Sequence, residues 1–330
     1  MTPRSLLVLL VAGLAAAPLA PAFTAPVSPV TLTVLTYNLG LLRVLGSDYV
    51  PLVEQRARLA PAALADFARE NSPDIVLLEE VWNDAYADGI TRELAPLGYA
   101  AIQPKIHSIL GLNSGLLLLV RAPLQVIEWR FRPFARTTFT DSFARKGVLE
   151  ATLMDPRPGL RFALVGTHTV ALDTINGQPK EQGQVAAITA QVQQIRLALS
   201  ERSEKGRVPA LLLGDFNVGP GYADAVYRSI LAADLTEAGA SLHPDAPLIT
   251  WDPANPLVRF GKYPDEPAAK IDHVFLLNGE SGAWQAIEAR RVLTSPLSGL
   301  SITSTNGASV PAPLSDHYGF FTKLVFQPVP

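Results

Sequence analysis

Short apolar runs that end abruptly in polar residues recur along this sequence, and they restrict the possible fold more than any other feature. The runs are rich in β-branched and aliphatic side chains, as buried β-strands are. The runs and their polar neighbours are Thr31–Thr36 with Asn38, Ile75–Leu78 with Glu79 and Glu80, Phe162–Gly166 with His168, Ala210–Leu213 with Asp215 and Asn217, Ile271–Leu277 with Asp272 and His273, and Phe320–Phe326 with Ser315-Asp316-His317. Because strands of one sheet can bring distant segments together, these polar residues are candidates for one site.

Helical segments alternate with the predicted strands. Gln184–Leu199 has apolar residues at three- and four-residue spacing, which is typical of an amphipathic helix. Glu54 to Glu70 is helical in composition, and we expect Pro61 at a break or in a first turn. Further strand pairs are predicted for Leu116–Val120 with Gln125–Phe131 and for Val148–Met154 with Phe162–Gly166. No repeat or low-complexity linker divides the chain, so we predict one α/β domain.

Composition excludes several classes of protein. Hydrophobic residues make up 48% of the 330 residues, which excludes a disordered chain. The absence of cysteine excludes a disulfide framework, a thiolate metal site and a cysteine nucleophile. The net charge of −3 argues against nucleic acid as the main partner, since phosphate-backbone binding favours a basic excess. It leaves nucleic acid open as an alternative.

The N-terminus has the pattern of a secretory signal peptide. Arg4 precedes the apolar run Leu6–Leu14, and Ala20-Pro21-Ala22 fits a small-residue cleavage site. A membrane anchor is the alternative, but the run is shorter than the roughly 20 residues that a span requires. We therefore predict a signal and short leader over 1–25, cleavage near Ala22, and a single domain over 26–330. The mature protein would be secreted or periplasmic, without a transmembrane segment.

The polar residues at the strand ends indicate hydrolytic chemistry. Oxygen ligands with neutral imidazole suit a hard divalent cation such as Mg²⁺, and carboxylates with histidine suit the activation of water by a general base. Taken singly, each residue has a structural explanation: Asn38 could cap a turn, Asp215 could form an Asx turn, and His168 could be a core histidine. The ordered combination is what favours a catalytic site.

That ordered combination resembles the endonuclease/exonuclease/phosphatase superfamily, over residues 31–326. The segments that resemble the family's motifs, in the family's order, are T-Y-N (36–38), P-D-I-V-L-L-E-E-V-W (73–82), G-T-H-T (166–169), L-L-L-G-D-F-N (211–217), K-I-D-H-V-F (270–275) and L-S-D-H-Y-G (314–319). The resemblance implies a DNase I-like, four-layered α/β sandwich of two packed mixed sheets flanked by helices. The family normally has Gln before its metal-binding Glu; Glu79 stands at that position here, and Glu80 matches the ligand.

The resemblance also implies roles for the site residues. Glu80, helped by Asn38 and with Asp316 as a further contact, would hold Mg²⁺, for which Mn²⁺ or Co²⁺ could substitute. His317 would accept a proton from the attacking water, and Asp272 would orient its ring. The remaining roles fall to Asp215, which would orient the water, and to Asn217 and His168, which would face the phosphoryl group from two sides.

Three further segments resemble neutral sphingomyelinases: D-S-F-A-R-K-G (141–147), N-S-G-L-L-L-L-V-R-A-P (113–123) and T-W-D-P-A-N-P-L (250–257). Lys146 could neutralise a phosphate or pair with Asp141; the alternative is an ordinary surface ion pair. The leading hypothesis is a monomeric, secreted phosphodiesterase that acts peripherally at a membrane surface and cleaves sphingomyelin to ceramide and phosphocholine. Trp82, Trp251 and Tyr263 could line a choline site or simply pack in the core.

Two alternatives remain open at this point. An exported DNase-like nuclease would need a basic groove, which Arg130, Arg132, Arg136 and Arg145 could supply. A catalytically inactive binding module on the same fold is the other. Leu293–Leu314 has no aromatic residue that could enter a membrane. The loop Ile106–Leu112 could contact lipid instead, or it could be buried.

Overall fold

The structure is a computed structural model that describes residues 28–138, 141, 144–172, 174–175, 178–180 and 182–329. The predicted signal segment 1–25 lies outside the described residues. The strands, in chain order, are β1 (Val30–Asn38), β2 (Arg43–Val44), β3 (Ser47–Asp48), β4 (Ile75–Glu79), β5 (Tyr99–Ile102), β6 (Leu117–Arg121), β7 (Gln125–Pro133), β8 (Gly147–Asp155), β9 (Leu160–His168), β10 (Thr174–Ile175), β11 (Gln178–Pro179), β12 (Ala210–Asp215), β13 (Thr236–Glu237), β14 (Asp272–Leu277), β15 (Gly282–Val292), β16 (Ser301–Thr303), β17 (Ser309–Pro311) and β18 (Gly319–Pro328). The helices are α1 (Val53–Asn71), α2 (Asp84–Leu94), α3 (Gln182–Arg202), α4 (Asp224–Leu231), α5 (Ala238–Leu242) and α6 (Pro256–Arg259), with a 3₁₀ turn at Ala95–Leu97.

Two six-stranded sheets form the centre of the molecule. The first sheet has the order β15-β18-β1-β4-β6-β5, and the second has the order β13-β14-β12-β9-β8-β7. In the first sheet β1 is parallel to β4 and antiparallel to β18. In the second sheet β12 is parallel to β9 and antiparallel to β14. Both sheets are therefore mixed.

Each sheet is covered on both faces, because its central strands are apolar on both sides. In β1, Val34 packs between the sheets, whereas Leu35 faces the helix-side core that includes Leu64 of α1 and Ile90 of α2. Ile188 of α3 belongs to the equivalent core outside the second sheet. The resulting order is helix, sheet, sheet, helix, which confirms the predicted four-layered sandwich.

Helix α1 continues through Pro61, where the sequence predicted a break or a first turn. A proline inside a helix removes one backbone hydrogen bond and costs about 3 kcal/mol. Ala57 and Ala60 before the proline and Leu64 and Ala65 after it are all buried. Burial of this face on both sides of Pro61 offsets the lost hydrogen bond.

The carboxyl ends of four strands lie at one edge of the sandwich. Asn38 at the end of β1 pairs with Glu79 at the end of β4. In the second sheet, Asp215 pairs with His168 on one side and with Asp272 on the other. The topology thus brings together polar residues that are far apart in the sequence. Asn38 and Asp272, for example, are separated by 234 positions. Within the described residues, no helix has the length and apolar character needed to cross a membrane.

Candidate active site

A cleft at this edge is lined by six of the residues singled out in the sequence. They are Glu80, His168, Asp215, Asn217, Asp316 and His317. Asn38 and Asp272 are fully buried next to it, in contact with Asp215 and His317, respectively. Lys146 and Asp141 adjoin the cleft through His168. All the sequence-derived site residues are therefore assembled in one place.

Asn38 connects the two sheets within the site. Its side-chain nitrogen donates to Asp215 Oδ2 at 2.8 Å and to Glu80 Oε1 at 3.2 Å. Its side-chain oxygen accepts from the backbone N–H of Gly40 at 2.9 Å, and its backbone oxygen accepts from Ser315 Oγ at 2.7 Å. In this arrangement Asn38 orients the Glu80 and Asp215 carboxylates and offers its own oxygen to the backbone.

The two adjacent glutamates occupy different environments. Glu80 has φ = 59° and lines the cleft, with Trp82 Nε1 3.4 Å from Oε2. Glu79 is fully buried and accepts from Thr36 Oγ1 at 2.6 Å. Burial and then the negative charge of Asp316 raise the pKa of Glu80. Glu80 is thus the glutamate that a bound cation or substrate would contact.

His317 and Asp272 form a buried dyad. His317 Nδ1 lies 2.9 Å from Asp272 Oδ2, and the Asp272 backbone N–H donates to Thr250 Oγ1 at 3.2 Å. With Nδ1 directed at the carboxylate, Nε2 is directed into the cleft, 3.9 Å from Asp215 Oδ2. Burial lowers the pKa of His317, but the charge and hydrogen bond of Asp272 and the charges of Asp215 and Asp316 together outweigh it, and the net pKa is well above the ordinary value. This geometry suits an imidazole that accepts a proton at Nε2.

Asp215 and Asn217 form a tight turn at the end of β12. The Asn217 backbone N–H donates to Asp215 Oδ1 at 2.9 Å, and Asn217 Nδ2 donates to the Thr169 carbonyl at 3.2 Å. Burial and the neighbouring charge of Asp272 raise the pKa of Asp215 to about 7. The turn places a carboxylate beside His317 and an amide at the wall of the cleft.

Lys146 reaches His168 from the segment before β8. Its Nζ lies 3.1 Å from His168 Nε2, 2.9 Å from the Thr169 carbonyl and 2.8 Å from Asp141 Oδ1. An ammonium group can only donate, so Nε2 is the acceptor and the imidazole is neutral. Burial and then Lys146 hold the pKa of His168 well below its usual range. Lys146 is 5% exposed, which rules out an ordinary surface ion pair.

The donor set fits a hard divalent cation. The negative charge of Asp316 acts on Glu80 across the cleft, and Asp215, Asp272 and His317 bring potential ligand atoms within 4.8 Å of one another. One carboxylate oxygen of Asp272 is buried without a hydrogen-bond partner. Oxygen ligands with imidazole, and no thiolate, are the chemistry that Mg²⁺ or Mn²⁺ binds.

Two supporting residues, Thr250 and Asn255, were not singled out from the sequence. Thr250 accepts from the backbone of Asp272, and Asn255 Nδ2 donates to the carbonyls of Ser315 and Asp316 at 2.9 and 3.0 Å. Trp251 packs edge-on against His317, with ring centroids 5.1 Å apart. Thr250, Trp251 and Asn255 all lie in the T-W-D-P-A-N-P-L segment. That motif is the sequence feature from which these residues could have been identified. It did not indicate that they contact the dyad and the Ser315–His317 segment.

Of the three aromatic residues considered for a choline site, two line the cleft. Trp251 and Tyr263 do so together with Tyr49, whose hydroxyl contacts that of Tyr263. Trp82 is instead 2% exposed and packs beside His168, with ring centroids 5.9 Å apart.

Several solved structures of differently named proteins have the same fold as this chain. Sphingomyelinase C from Streptomyces griseocarneus aligns with a TM-score of 0.67 at 23% identity, covering 89% of this chain and 99% of that one. A variant of beta toxin from Staphylococcus aureus with bound magnesium ions aligns with a TM-score of 0.66 at 15% identity, covering 89% and 99%. D. rerio TDP2 complexed with a single-stranded DNA product aligns with a TM-score of 0.64 at 19% identity, covering 89% and 98%.

No curated protein sequence gives a significant match to the chain. The sequence model of one family does match, from residue 35 to residue 317, and that range includes every residue of the cleft that the polar strand ends supply. The chain belongs to the endonuclease/exonuclease/phosphatase family.

Proposed function

We propose that this protein is a secreted, Mg²⁺-dependent phosphodiesterase that hydrolyses sphingomyelin to ceramide and phosphocholine. The observation that carries the proposal is the buried His317–Asp272 dyad, whose Nε2 lies 3.9 Å from the Asp215 carboxylate of the cleft. A dyad of this kind activates water, and the carboxylates suit a divalent cation. Export rests on the sequence of residues 1–25 alone.

His317 would take a proton from the attacking water at Nε2. Asp272 holds the opposite ring nitrogen and stabilises the imidazolium that forms. Asp215 lies 3.9 Å from the same Nε2 and would orient the water for in-line attack on phosphorus. The oxygen of water forms the new bond to phosphorus, and the bond to the ceramide oxygen breaks. The ceramide oxygen takes up one proton on the far side of phosphorus, and His317 releases the proton that it took from water, so protons balance.

Glu80 and Asp316 would hold the cation, and Asn38 would orient Glu80. The bound ion would supply Lewis-acid stabilisation of negative charge on the phosphoryl oxygens. The magnesium ions bound to the beta toxin structure support this assignment, and Mn²⁺ or Co²⁺ could substitute.

The opposite wall of the cleft would bind the phosphoryl group. Asn217 would contribute hydrogen bonds from its side chain, and His168 would face the group from the other side. Because His168 accepts from Lys146, the positive charge of this wall comes from the Lys146 ammonium. Asp141 fixes the position of that ammonium through a 2.8 Å ion pair.

Aromatic residues support a choline head group. Trp251, Tyr49 and Tyr263 line the cleft together with the carboxylate of Glu266. Aromatic faces and a nearby carboxylate are the surroundings that stabilise a quaternary ammonium group. The similarity in fold to sphingomyelinase C is consistent with this choice of substrate.

A membrane surface is the partner that the exposed loops support. Ile109 is 90% exposed, and Ile106 and Leu110 of the same loop are 39% and 38% exposed. The loop is followed by Asn113, whose backbone N–H donates to the carbonyl of Trp82, and Trp82 packs beside His168 of the cleft. Apolar side chains exposed next to a cleft suit contact with lipid by a monomeric, peripheral enzyme.

A nuclease is the second candidate, since the D. rerio TDP2 structure contains a DNA product. Of the four arginines that could form the basic groove it requires, Arg130 and Arg132 are paired with Glu150 and Glu201 at the edge of the second sheet, whereas Arg136 and Arg145 are exposed. An inactive binding module is disfavoured, because the hydrogen bonds of the dyad are intact.

Parallel assays on sphingomyelin vesicles and duplex DNA test the proposal. We expect phosphocholine release in Mg²⁺, its loss after chelation of divalent ions, and no comparable cleavage of DNA. DNA cleavage without phosphocholine release would establish the nuclease instead. Activity on neither substrate would favour the binding module.

A further inference from the structure

Arg56 of α1 is a buried cation that is surrounded by backbone carbonyls. Its side chain is 0% exposed. Nε donates to the carbonyl of Pro51 at 2.9 Å, Nη1 to those of Leu39 at 2.5 Å and Leu314 at 3.4 Å, and Nη2 to that of Gly40 at 2.6 Å. Among the residues that the structure describes, no carboxylate oxygen lies within 4.0 Å of this guanidinium.

Such a placement is costly unless the charge is well solvated. Burying an unpaired ion carries a penalty of several kcal/mol, and hydrogen bonds to neutral carbonyls offset only part of it. The carbonyls come from three segments: the chain after β1, the approach to α1, and the residue before Ser315. One rigid group therefore fixes three segments relative to one another.

Two of these segments carry residues assigned to the metal site. Leu39 and Gly40 follow Asn38 directly, and Leu314 is two positions before Asp316. The segments also touch each other: Ser315 Oγ donates to the Asn38 carbonyl at 2.7 Å. They approach so closely that a Cβ added at Gly40 would lie 2.4 Å from Asp316 Oδ1. A small change in the Arg56 contacts would therefore alter the position of Asp316.

The charge of Arg56 acts on the same residues. Burial lowers the pKa of Arg56, and the negative charge of Asp316 is the first effect that opposes it, with Glu80 also contributing. Arg56 therefore lies close enough to act on both carboxylates that are assigned to the ion.

We infer that Arg56 is a positioning residue for the divalent cation. Its hydrogen bonds to the carbonyls of both segments set the separation of Asn38–Gly40 and Leu314–Asp316. This inference rests on the metal site of the proposed function. It predicts that metal affinity depends on a side chain that does not itself touch the ion.

The experiment compares Arg56→Lys with Arg202→Lys. Both parent residues are arginines on long helices with little exposure, but Arg202 of α3 bonds Glu128 and Thr152, away from the cleft. Lysine keeps the charge and cannot reproduce the contacts to several carbonyls at once. Direct Mn²⁺ binding, followed by electron paramagnetic resonance or calorimetry, is the readout, with circular dichroism to confirm folding. Arg56→Met is the second variant, which removes the charge as well.

We expect Arg56→Lys to weaken Mn²⁺ binding about 10- to 100-fold and Arg56→Met to weaken it further. Arg202→Lys should lower the melting temperature and leave Mn²⁺ binding unchanged. If the Arg56→Lys variant folds and binds Mn²⁺ as tightly as the parent, the inference about Arg56 is wrong, but the proposed metal site is not affected. A parent protein that binds no Mn²⁺ or Mg²⁺ would overturn the proposed metal site and the inference with it.

Discussion

At the scale of single residues, substitution of Gly40 tests most directly whether Asp316 helps to hold the Mg²⁺ ion. Gly40 has φ = 57°, and an added Cβ would lie 2.4 Å from Asp316 Oδ1. Gly46 has φ = 82°, and an added Cβ there would have no neighbour within 4 Å. Alanine at either position should cost about 1 kcal/mol of backbone strain. Only Gly40→Ala should also displace Asp316.

We therefore expect Gly40→Ala to raise the Mg²⁺ concentration at half-maximal activity about 10-fold or more. Gly46→Ala should lose similar stability with no change in Mg²⁺ requirement. Titration of activity with Mg²⁺, beside thermal unfolding of both variants, makes the comparison. Equal Mg²⁺ requirements in the two variants would show that Asp316 has no part in holding the ion.

The charge of Asp272 sets the pH at which His317 can act as a base. Asp272 raises the pKa of His317 above its ordinary value of 6.5, and water activation requires the neutral ring. Activity should therefore rise with pH along a limb above 6.5. Asp272→Asn removes the negative charge, so the limb should move to lower pH while the maximal rate falls.

The pH profile of kcat/KM, with NMR titration of the His317 ring as the direct check, measures this shift. A limb that stays at the same pH in Asp272→Asn would mean that another group is the base.

At the scale of secondary-structure elements, a buried ion pair joins α5 to β14. Glu237 precedes α5, and its Oε1 lies 2.9 Å from Nζ of Lys270, two residues before Asp272. Burial raises the pKa of Glu237, but the charge of Lys270, the charge and hydrogen bond of His273 and the backbone N–H of Ala240 together lower it more, and the net value is about 2 instead of 4.5. A depressed carboxyl pKa stabilises the fold fully above pH 4.5, and this contribution is lost as the pH falls toward 2.

The double variant Glu237→Gln/Lys270→Met removes the pair without leaving one buried charge. We expect the parent to lose roughly 3 kcal/mol more of unfolding free energy than the double variant between pH 4.5 and 2. Urea unfolding at a series of pH values measures this difference. Glu70→Gln, at an exposed position of α1, is the control that should follow the parent. Parallel stability curves for parent and double variant would contradict the assignment.

Most elements near the site could be predicted from the sequence, for a physical reason. Strands such as β4 and β12 are buried on both faces, so their apolar runs are unbroken and their ends are marked by polar residues. Strand β15 was not predicted. Buried and more exposed residues alternate along this strand, and a bulge between Ala286 and Glu288 shifts the two-residue period of that alternation. The continuation of α1 through Pro61 was also missed, because it depends on packing against the first sheet.

At the scale of the whole molecule, the sandwich explains why candidate residues so far apart in sequence form one site. Parallel pairing of β1 with β4 and of β9 with β12 places four carboxyl ends at one edge. The order of motifs predicted this assembly. Arg56 could not be predicted in the same way, because its partners are backbone carbonyls, which leave no trace in the residue types.

The exposed loop beside the cleft leads to a prediction about membrane surfaces. If Ile109 enters the lipid surface, Ile109→Asp should lower the hydrolysis of sphingomyelin in vesicles about 10-fold, since burial of one isoleucine contributes roughly 1.5–3 kcal/mol. Hydrolysis of a soluble phosphodiester should not change. Leu197→Asp, at a 54% exposed position of α3, is the matched control and should match the parent on both substrates.

Comparison of rates on vesicles and on bis(p-nitrophenyl) phosphate separates the outcomes. Equal losses on both substrates in Ile109→Asp would place the effect in the cleft and not at the membrane.

The most direct measurement for the central claim is phosphocholine release from sphingomyelin vesicles by the parent and by His317→Ala, each with saturating Mg²⁺ and after complete chelation. We expect release by the parent only with Mg²⁺, and a rate about 10²–10⁴-fold lower in folded His317→Ala, because the general base is lost. Equal rates for parent and variant in Mg²⁺, or release that survives chelation, would contradict this claim.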